Sequence, residues 1–158
     1  MIVPDYDASQ MSYIISPLQS PLLQNDAQTV PMDLTGKRVV VVEDEGITQL
    51  QIRKMLRRQG LEVVGDAANG KDAIQVVLET RPDIVLMDIR MPIMDGLEAS
   101  RRILAEYQVC IVMLTAFSEK EYQKKAQEIG TCGYVIKPIT SETLMPQIEA
   151  AYRKHHSM

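Results

Sequence analysis

The chain has 158 residues, of which 46% are hydrophobic and 24% charged, and its mean hydropathy is close to zero. This composition is typical of a globular protein, and the length suits one domain with some spare residues. A formal net charge of −4 gives no electrostatic reason to expect binding to nucleic acid or to a membrane surface, and no apolar run approaches the roughly 20 residues of a membrane span.

The first 36 residues differ in texture from the rest of the chain. They hold four acidic residues and no basic one, so the whole excess of negative charge lies there, since the other 17 acidic residues are balanced by 17 basic ones. Proline, serine and glutamine are frequent, and no helical or strand period is sustained. We predict a mostly irregular extension over 1–36, one domain over 37–154 and a short tail over 155–158. The absence of basic residues before Lys37 also argues against a secretory signal.

From Lys37 onward, short apolar runs alternate with segments that carry apolar residues at helical spacing. The runs are rich in β-branched residues and nearly unbroken, as is typical of parallel strands covered on both faces. They predict an α/β domain with a parallel sheet. Pro146 fits the last helix only if it lies in the first turn, with Thr143 as the N-cap. In chain order, the runs cover 39–42, 61–64, 84–87, 109–114 and 134–136, and the intervening helical stripes centre on Ile52, Ala73, Leu97, Ala126 and Ile148.

Chemically active side chains follow four of these predicted strands. Because parallel strands end at one edge of a sheet, we expect these side chains to lie together. Three carboxylates at one point repel each other unless a cation joins them, and oxygen ligands around an open site suit Mg²⁺. A hydroxyl and an ammonium group nearby suit the oxygens of a phosphoryl group, so the pattern predicts phosphoryl transfer to a carboxylate. The residues are Glu43 and Asp44, Asp88, Thr115 with Ala116, and Lys137 with Pro138.

This ordered set resembles the receiver domain of bacterial two-component response regulators over residues 37–154. The resemblance implies a doubly wound, flavodoxin-like (βα)5 fold with strand order 2-1-3-4-5. The texture of 115–118 and 144–146 is similar to the receivers of response regulators that carry an RNA-binding antiterminator (ANTAR-type) domain, but the sequence lacks that half, so we expect no nucleic-acid binding by it. The matching residues are Glu43-Asp44, Asp88, Met91-Pro92, Asp95-Gly96, Thr115-Ala116, Tyr134 and Lys137-Pro138.

The resemblance implies a role for each acidic residue. Asp88 would accept a phosphoryl group from the histidine of a sensor histidine kinase or of a phosphotransfer protein. Asp44 and Asp88 would bind Mg²⁺ (or Mn²⁺) directly, Glu43 would act through water, and the backbone carbonyl of Arg90 would complete the protein ligands. The chain would catalyse only its own phosphorylation and dephosphorylation, so we do not expect it to be an enzyme in the usual sense.

The resemblance also implies a switch. Thr115 and Lys137 would contact phosphoryl oxygens, and Thr115 would move toward the phosphoryl group while the Tyr134 ring turns inward behind it. The surface formed by the fourth helix, the fifth strand and the fifth helix would then bind a downstream effector protein, and a homodimer that forms on phosphorylation is left open. The Lys137-Pro138 bond is expected to be cis. Residues flanking the site would be Ala116, Phe117, Met91 and Pro138, and Arg90 and Phe117 would shield it from water.

Two alternatives stay open. The chain would be a pseudo-receiver, an interaction module without phosphorylation, or, less favoured, a phosphohydrolase that uses Asp88 as nucleophile. A dinucleotide site would need a glycine-rich turn after the first strand, where Glu43-Asp44-Glu45 stands instead. We further predict a cytoplasmic location, which suits two unpaired cysteines, and expect the extension over 1–36 to dock on the domain or on a partner rather than to join the chemistry.

Overall fold

Five strands and five helices alternate along the computed structural model, which describes residues 32–116, 118 and 120–157. The chain divides into two units, Met1–Met32 and Asp33–Met158, and all of these strands and helices lie in the second. In the described part, no helix is both long and apolar enough to cross a membrane. The elements are β1 Arg38–Val42, α1 Gly46–Arg58, β2 Glu62–Ala67, α2 Gly70–Thr80, β3 Ile84–Asp88, α3 Gly96–Leu104, β4 Cys110–Thr115, α4 Lys120–Ile129, β5 Gly133–Ile136 and α5 Ser141–His156.

The five strands form one sheet in the order β2-β1-β3-β4-β5, with every neighbouring pair parallel. This arrangement confirms the predicted flavodoxin-like fold. The strands form where the sequence is richest in unbroken β-branched and other apolar residues, because side chains on both faces of a central parallel strand are covered. β1 and β3 show this most clearly, since all residues of 39–42 and 84–87 are fully buried.

Helices cover both faces of the sheet. On one face, α2, α3 and α4 pack their apolar residues against alternate residues of β1, β3 and β4 in one core cluster. On the other face, α1 and α5 bury Ile52, Leu56, Leu144 and Ile148. The 3.6-residue spacing of these side chains puts them on one stripe of each helix, so the predicted helical stripes face the sheet.

The last helix begins earlier and ends later than the sequence suggests. Thr140 is the N-cap, because its hydroxyl accepts a hydrogen bond from the backbone N–H of Thr143, and Thr143 bonds back to the Thr140 N–H. The proposed cap at Thr143 is therefore wrong, and Pro146 lies inside the helix. The helix continues through His156, whose ring contacts the Tyr152 ring at a centroid distance of 4.3 Å.

Residues just before β1 also belong to this unit. Leu34 is buried, and the backbone N–H of Gly36 donates to the carbonyl of Gly60 across 2.8 Å. The predictions for residues 1–31, Phe117 and Met158 concern positions outside the described residues. The predicted boundary at residue 37 stays a prediction.

The loop between β3 and α3 is held close to the end of β3. The Gly96 N–H donates to the Ile89 carbonyl across 2.7 Å, and a Cβ atom at position 96 would collide with the Asp88 carbonyl oxygen. Within the loop, the Met94 N–H donates to the Pro92 carbonyl across 2.7 Å, and Ile93 between them has a φ of +70°. These contacts fix the backbone that carries Asp88.

Candidate functional site

The carboxyl ends of β1, β3 and β5 and the loop after β4 surround an open cavity of about 460 Å³. Ligands of doubly wound sheets bind at this edge, because the strand ends and the loops that follow them converge there. The cavity therefore brings together the residues that the sequence places after successive strands. It is lined by Glu43, Asp44, Glu45, Asp88, Arg90, Ala116, Ser118 and Lys137.

Three carboxylates meet in this cavity. One carboxylate oxygen from each of Glu43, Asp44 and Asp88 lies within 4.8 Å of the other two. Glu43 and Asp88 are buried, with 1% and 4% of their surface exposed, whereas Asp44 is exposed. Glu43 is held in place because its Oε2 accepts a hydrogen bond from the Glu45 N–H across 3.1 Å and its carbonyl accepts one from the Gln49 side chain.

The Lys137 ammonium joins two of these carboxylates. Its Nζ lies 3.0 Å from Oε1 of Glu43 and 3.3 Å from Oδ2 of Asp88. The position of Lys137 follows from the sheet, because its backbone N–H donates to the Thr115 carbonyl across 2.8 Å, one step beyond the end of β5. The Lys137-Pro138 bond is cis, as expected.

The electrostatics of the cluster favour protonated Asp88 in the absence of a cation. Burial and, after it, the Glu43 carboxylate raise the pKa of Asp88 to about 8, although Lys137 opposes them. Burial also disfavours the charged form of Lys137, but Glu43 and Asp88 outweigh burial and raise the pKa of the ammonium. The cluster thus lacks positive charge for its three carboxylates, and a further cation would relieve that imbalance.

The donor set fits Mg²⁺. This ion takes oxygen ligands, prefers one or two carboxylates and keeps several waters, which needs an open site. Two of the three carboxylates are buried and one is exposed at the cavity mouth. Apart from its ion pair with Lys137, the buried Oε1 of Glu43 has no hydrogen-bond partner among the described residues.

Thr115 and Tyr134 lie at the ends of neighbouring strands. Thr115 is fully buried at the end of β4, and its hydroxyl donates to the Ala116 carbonyl across 3.2 Å. Tyr134 lies on the edge strand β5, with 43% of its surface exposed, and it lines a different cavity from that of the carboxylates. The register pairs Thr115 with Ile136, so Tyr134 lies two residues before the partner of Thr115.

Of the other predicted site residues, some line the cavity and others lie elsewhere. Arg90 and Ala116 line the cavity, and the Arg90 guanidinium lies 5.7 Å from the centroid of the Tyr122 ring. Met91 packs, partly buried, against the core, and Pro138 lines a second cavity next to α1. Phe117 lies outside the described residues.

Sequence reasoning missed three residues of the site. Glu45 and Ser118 line the cavity, and Gln49 donates from its side-chain amide to the carbonyls of Glu43 and Ala67, both across 3.1 Å. Glu45 could have been found from the acidic run 43–45, and Ser118 from its position three residues after Thr115. Gln49 carried no such signal, because only the fold brings the first turn of α1 onto the ends of β1 and β2.

Comparison with known proteins gives one family. The family model described as "Response regulator receiver domain" matches residues 39–149. Among curated proteins, the transcriptional regulatory protein PdtaR of Mycobacterium tuberculosis is 37% identical over 115 residues, which are 73% of this chain and 56% of that protein. The chain therefore spans a little over half the length of this relative.

Solved structures agree in fold along most of the described chain. The signal receiver domain of a modulated diguanylate cyclase from Desulfovibrio desulfuricans is 31% identical, with a TM-score of 0.70 over 77% of this chain and 98% of that one. A two-component response regulator of the LuxR family from Aurantimonas sp. is 34% identical, with a TM-score of 0.69 over 75% of this chain and 86% of that one.

Proposed function

The chain belongs to the response regulator receiver domain family, and from this premise we propose that it accepts a phosphoryl group on Asp88 and thereby switches its protein partners. One observation carries the proposal: the Asp88 carboxylate lies in an open cavity, 3.3 Å from the Lys137 ammonium and beside the carboxylates of Glu43 and Asp44. A carboxylate placed in this way can act as a nucleophile toward phosphorus, with charged groups ready for the oxygens of the transferred group.

Each residue of the cluster has a distinct task in this proposal. Asp44 and Asp88 would hold Mg²⁺ with the Arg90 carbonyl, and Glu43 would act through water. Bound Mg²⁺ supplies positive charge that offsets the negative charge of phosphoryl oxygens. Lys137 would pair with a phosphoryl oxygen, and Thr115 would donate its hydroxyl to another. The buried position of Glu43 and Asp88 strengthens these charge interactions, because water screens them less there.

The switch would use the buried hydroxyl and the exposed ring. A phosphoryl group on Asp88 would compete for the Thr115 hydroxyl, which now donates to the Ala116 carbonyl. Movement of Thr115 would open space beside β5 for the Tyr134 ring, which is now 43% exposed. The surface formed by α4, β5 and α5 would then present a different shape to a partner.

The test is incubation of the full chain with a small phosphodonor such as acetyl phosphate and Mg²⁺, followed by intact-mass measurement. We expect stoichiometric addition of one phosphoryl group, which Asp88→Asn abolishes and EDTA prevents. Asp66→Asn is the matched control, because Asp66 is exposed and does not line the cavity. An unmodified wild-type chain, or equal labelling of Asp88→Asn, would contradict the proposal.

The same assay separates the two alternatives. A chain that stays unmodified but binds partners would be an interaction module. Repeated turnover of a small phosphate ester that depends on Asp88 would indicate a phosphohydrolase, whereas we expect a single labelling event.

Partners follow from the family. We propose that a sensor histidine kinase or a phosphotransfer protein donates the phosphoryl group in the cytoplasm, and that an effector protein receives the signal. The relative from Mycobacterium tuberculosis is a transcriptional regulatory protein. Since this chain spans only part of it, regulation of transcription would need a further protein or segment, which a pull-down with phosphorylated and unphosphorylated chain would identify.

A further inference from the structure

The cysteines of the described chain lie together at the edge of the sheet opposite to the phosphoryl site. Cys110 is the first residue of β4 and Cys132 directly precedes β5, and both are buried. Thr115 ends the same strand β4. At a rise of about 3.3 Å per residue, the five steps from Cys110 to Thr115 place the thiols roughly 16 Å from the carboxylates. The two thiols are thus outside the cavity already described.

The backbone brings the two cysteines within reach of each other. The Cys132 N–H donates to the carbonyl of Ile111, the neighbour of Cys110, across 2.9 Å. With strands about 4.8 Å apart and one residue of offset, the two Cα atoms are about 6 Å apart, inside the range of about 4.4–6.8 Å that disulfides require. Both side chains lie on the face of the sheet that α5 covers, because the Cys132 thiol contacts His155 of α5 and Cys110 alternates along β4 with Ile111, which packs on the other face.

Cys132 has the chemical surroundings of a reactive thiol. Its Sγ lies 3.7 Å from Nδ1 of His155 in the last turn of α5. The Cys110 thiol, His155 and the Lys154 charge together lower the pKa of Cys132 to about 6, although burial opposes them. Interaction with Cys132 and burial together raise the pKa of Cys110, so this partner stays a protonated thiol.

A small molecule can reach Cys132 from the surface. The residue lines a cavity of about 220 Å³ together with Gln127, Tyr134 and Lys154. A water occupies about 30 Å³ in the liquid, so the cavity admits a hydroperoxide. Cys110 is fully buried and does not line this cavity, so the two thiols differ in access as well as in charge.

We propose that Cys132 is a site of oxidation by hydroperoxides and that Cys110 is the thiol that resolves it into a disulfide. In the first step the Cys132 thiolate attacks a peroxide oxygen, the S–O bond forms, the O–O bond breaks, and the leaving hydroxide takes a proton to become water. In the second step the Cys110 sulfur attacks the Cys132 sulfur, the S–O bond breaks, and hydroxide leaves as water with the Cys110 proton. Two thiols lose two electrons in total, and one hydrogen peroxide becomes two waters.

The disulfide would connect β4 to the residue before β5, under the last turn of α5. Such a bond persists only until a cellular thiol reduces it, as is typical of redox-sensing disulfides in a reducing compartment. Because Cys132 and Tyr134 line the same cavity, oxidation would alter the α4–β5–α5 surface without use of Asp88. The inference therefore does not depend on the proposed phosphorylation.

The test treats the reduced, desalted full chain with a small excess of hydrogen peroxide and measures intact mass. We expect the wild-type chain to lose the mass of two hydrogen atoms, to yield a peptide pair linked through Cys110 and Cys132, and to return to its original mass with a thiol reductant. In Cys110→Ser, we expect the gain of one oxygen atom instead, with a sulfenic acid that dimedone traps at Cys132.

Cys132→Ser is the matched control, and we expect no change in its mass under the same conditions. Far-UV circular dichroism checks that each variant is folded, and Cys110→Ala provides a second replacement if the serine at that buried position unfolds the chain. An unchanged wild-type mass, oxidation of Cys132→Ser at the wild-type rate, or equally fast oxidation of the urea-unfolded wild type would overturn the proposal.

Discussion

Ile93 shows how a single residue can carry strain next to a functional site. It occupies the left-handed region with a φ of +70°, in a three-residue turn closed by the bond from the Met94 N–H to the Pro92 carbonyl. A β-branched residue is rarely found there, because its side chain crowds the backbone. The side chain is 78% exposed, so its packing contacts offset little of this strain.

We therefore expect Ile93→Gly to stabilise the protein. Relief of the left-handed conformation stabilises the fold by about 1–2 kcal/mol, whereas the greater freedom of glycine in the unfolded chain destabilises the fold by about 0.5–1 kcal/mol. Urea unfolding should show a net gain of roughly 1 kcal/mol. Ile93→Ala is the control, since alanine keeps most of the cost of positive φ. An equal gain from alanine would mean that removal of the exposed side chain, and not the backbone, is responsible.

Asp88 shows the opposite balance, in which a functional group opposes stability. Its pKa is raised to about 8 because it is buried beside Glu43, so the ionised form is less stable in the fold than in the unfolded chain. The contribution of Asp88 to the free energy of unfolding is therefore most favourable below the unfolded pKa of about 4, where the carboxyl is protonated in both states, and it is lost as pH rises toward 8. At neutral pH, the fold has already lost part of this contribution.

In EDTA at neutral pH, we expect Asp88→Asn to raise the free energy of unfolding by on the order of 2 kcal/mol, because the neutral amide avoids the cost of protonating the buried carboxyl at that pH. Thermal unfolding also gives a second readout: Mg²⁺ should raise the melting temperature of the wild type and have little effect on the variant. Glu128→Gln, on an exposed part of α4, should change neither value. Lower stability of Asp88→Asn without metal would contradict this account.

At the scale of the element, the approach of α3 to β3 depends on one missing side chain. A Cβ atom at position 96 would collide with the Asp88 carbonyl oxygen and lie 2.9 Å from both the carbonyl carbon and the Met87 side chain. Backbone atoms cannot move aside as a flexible side chain can. Gly46, at the start of α1, is different, because a Cβ atom there would have no heavy atom within 4 Å.

These two glycines form a matched pair. Gly96→Ala should destabilise the fold by about 2–3 kcal/mol through overpacking and should slow phosphorylation of Asp88, whose backbone has to shift. Gly46→Ala should stabilise the fold by about 0.5 kcal/mol, because alanine has the higher helix propensity. Urea unfolding and the phosphorylation assay measure both effects. Similar losses in the two variants would show that close contact with Asp88 is not the cause.

Helix α5 contains an interior proline whose removal is informative. Pro146 has no N–H to donate to the carbonyl of Glu142 four residues earlier, and its ring crowds that carbonyl. We expect Pro146→Ala to raise the free energy of unfolding by about 1 kcal/mol, after subtraction of the entropy that proline removes from the unfolded chain. Gln147→Ala, exposed and adjacent, controls for helix propensity alone. A loss of stability in Pro146→Ala would mean that the ring makes packing contacts that matter more.

The strands and helices were predictable from the sequence to different degrees. The strands were predictable because runs such as Val39–Val42 are apolar on both faces, and a buried strand of a parallel sheet is the usual place for such a run. The cavity residues at the strand ends followed from the topology. The continuation of α5 through His156 was not predicted, and the contact of His155 with Cys132 joins residues that are 23 positions apart along the sequence. The positive φ of Ile93 was not predicted either, because a β-branched residue rarely adopts that conformation and nothing in the sequence indicates it.

At the scale of the whole molecule, charge and chemistry lie in different parts of the chain. The excess of negative charge belongs to residues 1–36, whereas every residue that lines the carboxylate cavity lies at position 43 or later. Residues 33–36 include the buried Leu34, so a truncation should spare them. Deletion of 1–32 is therefore the informative change.

We expect this deletion to leave the rate and extent of Asp88 phosphorylation unchanged and to alter partner binding or oligomeric state. Intact-mass kinetics measure the first, and light scattering with and without a phosphodonor measures the second. A slower phosphorylation would place the extension in the chemistry, against our expectation. No change in any of the three properties would leave the extension without a role.

The order of the strands has a consequence for how the molecule opens. β1, β3 and β4 each have a neighbouring strand on both sides, whereas β2 and β5 lie at the edges. Amide protons of the three inner strands should exchange with solvent only when the whole domain unfolds, while those of β5 should exchange through smaller openings. Asp88 and Thr115 are the last residues of inner strands, and Tyr134 is on the edge strand. Asp88 and Thr115 thus lie on the strands whose amide protons exchange most slowly. Tyr134, the proposed switch residue, lies on a strand that can open without unfolding of the whole domain.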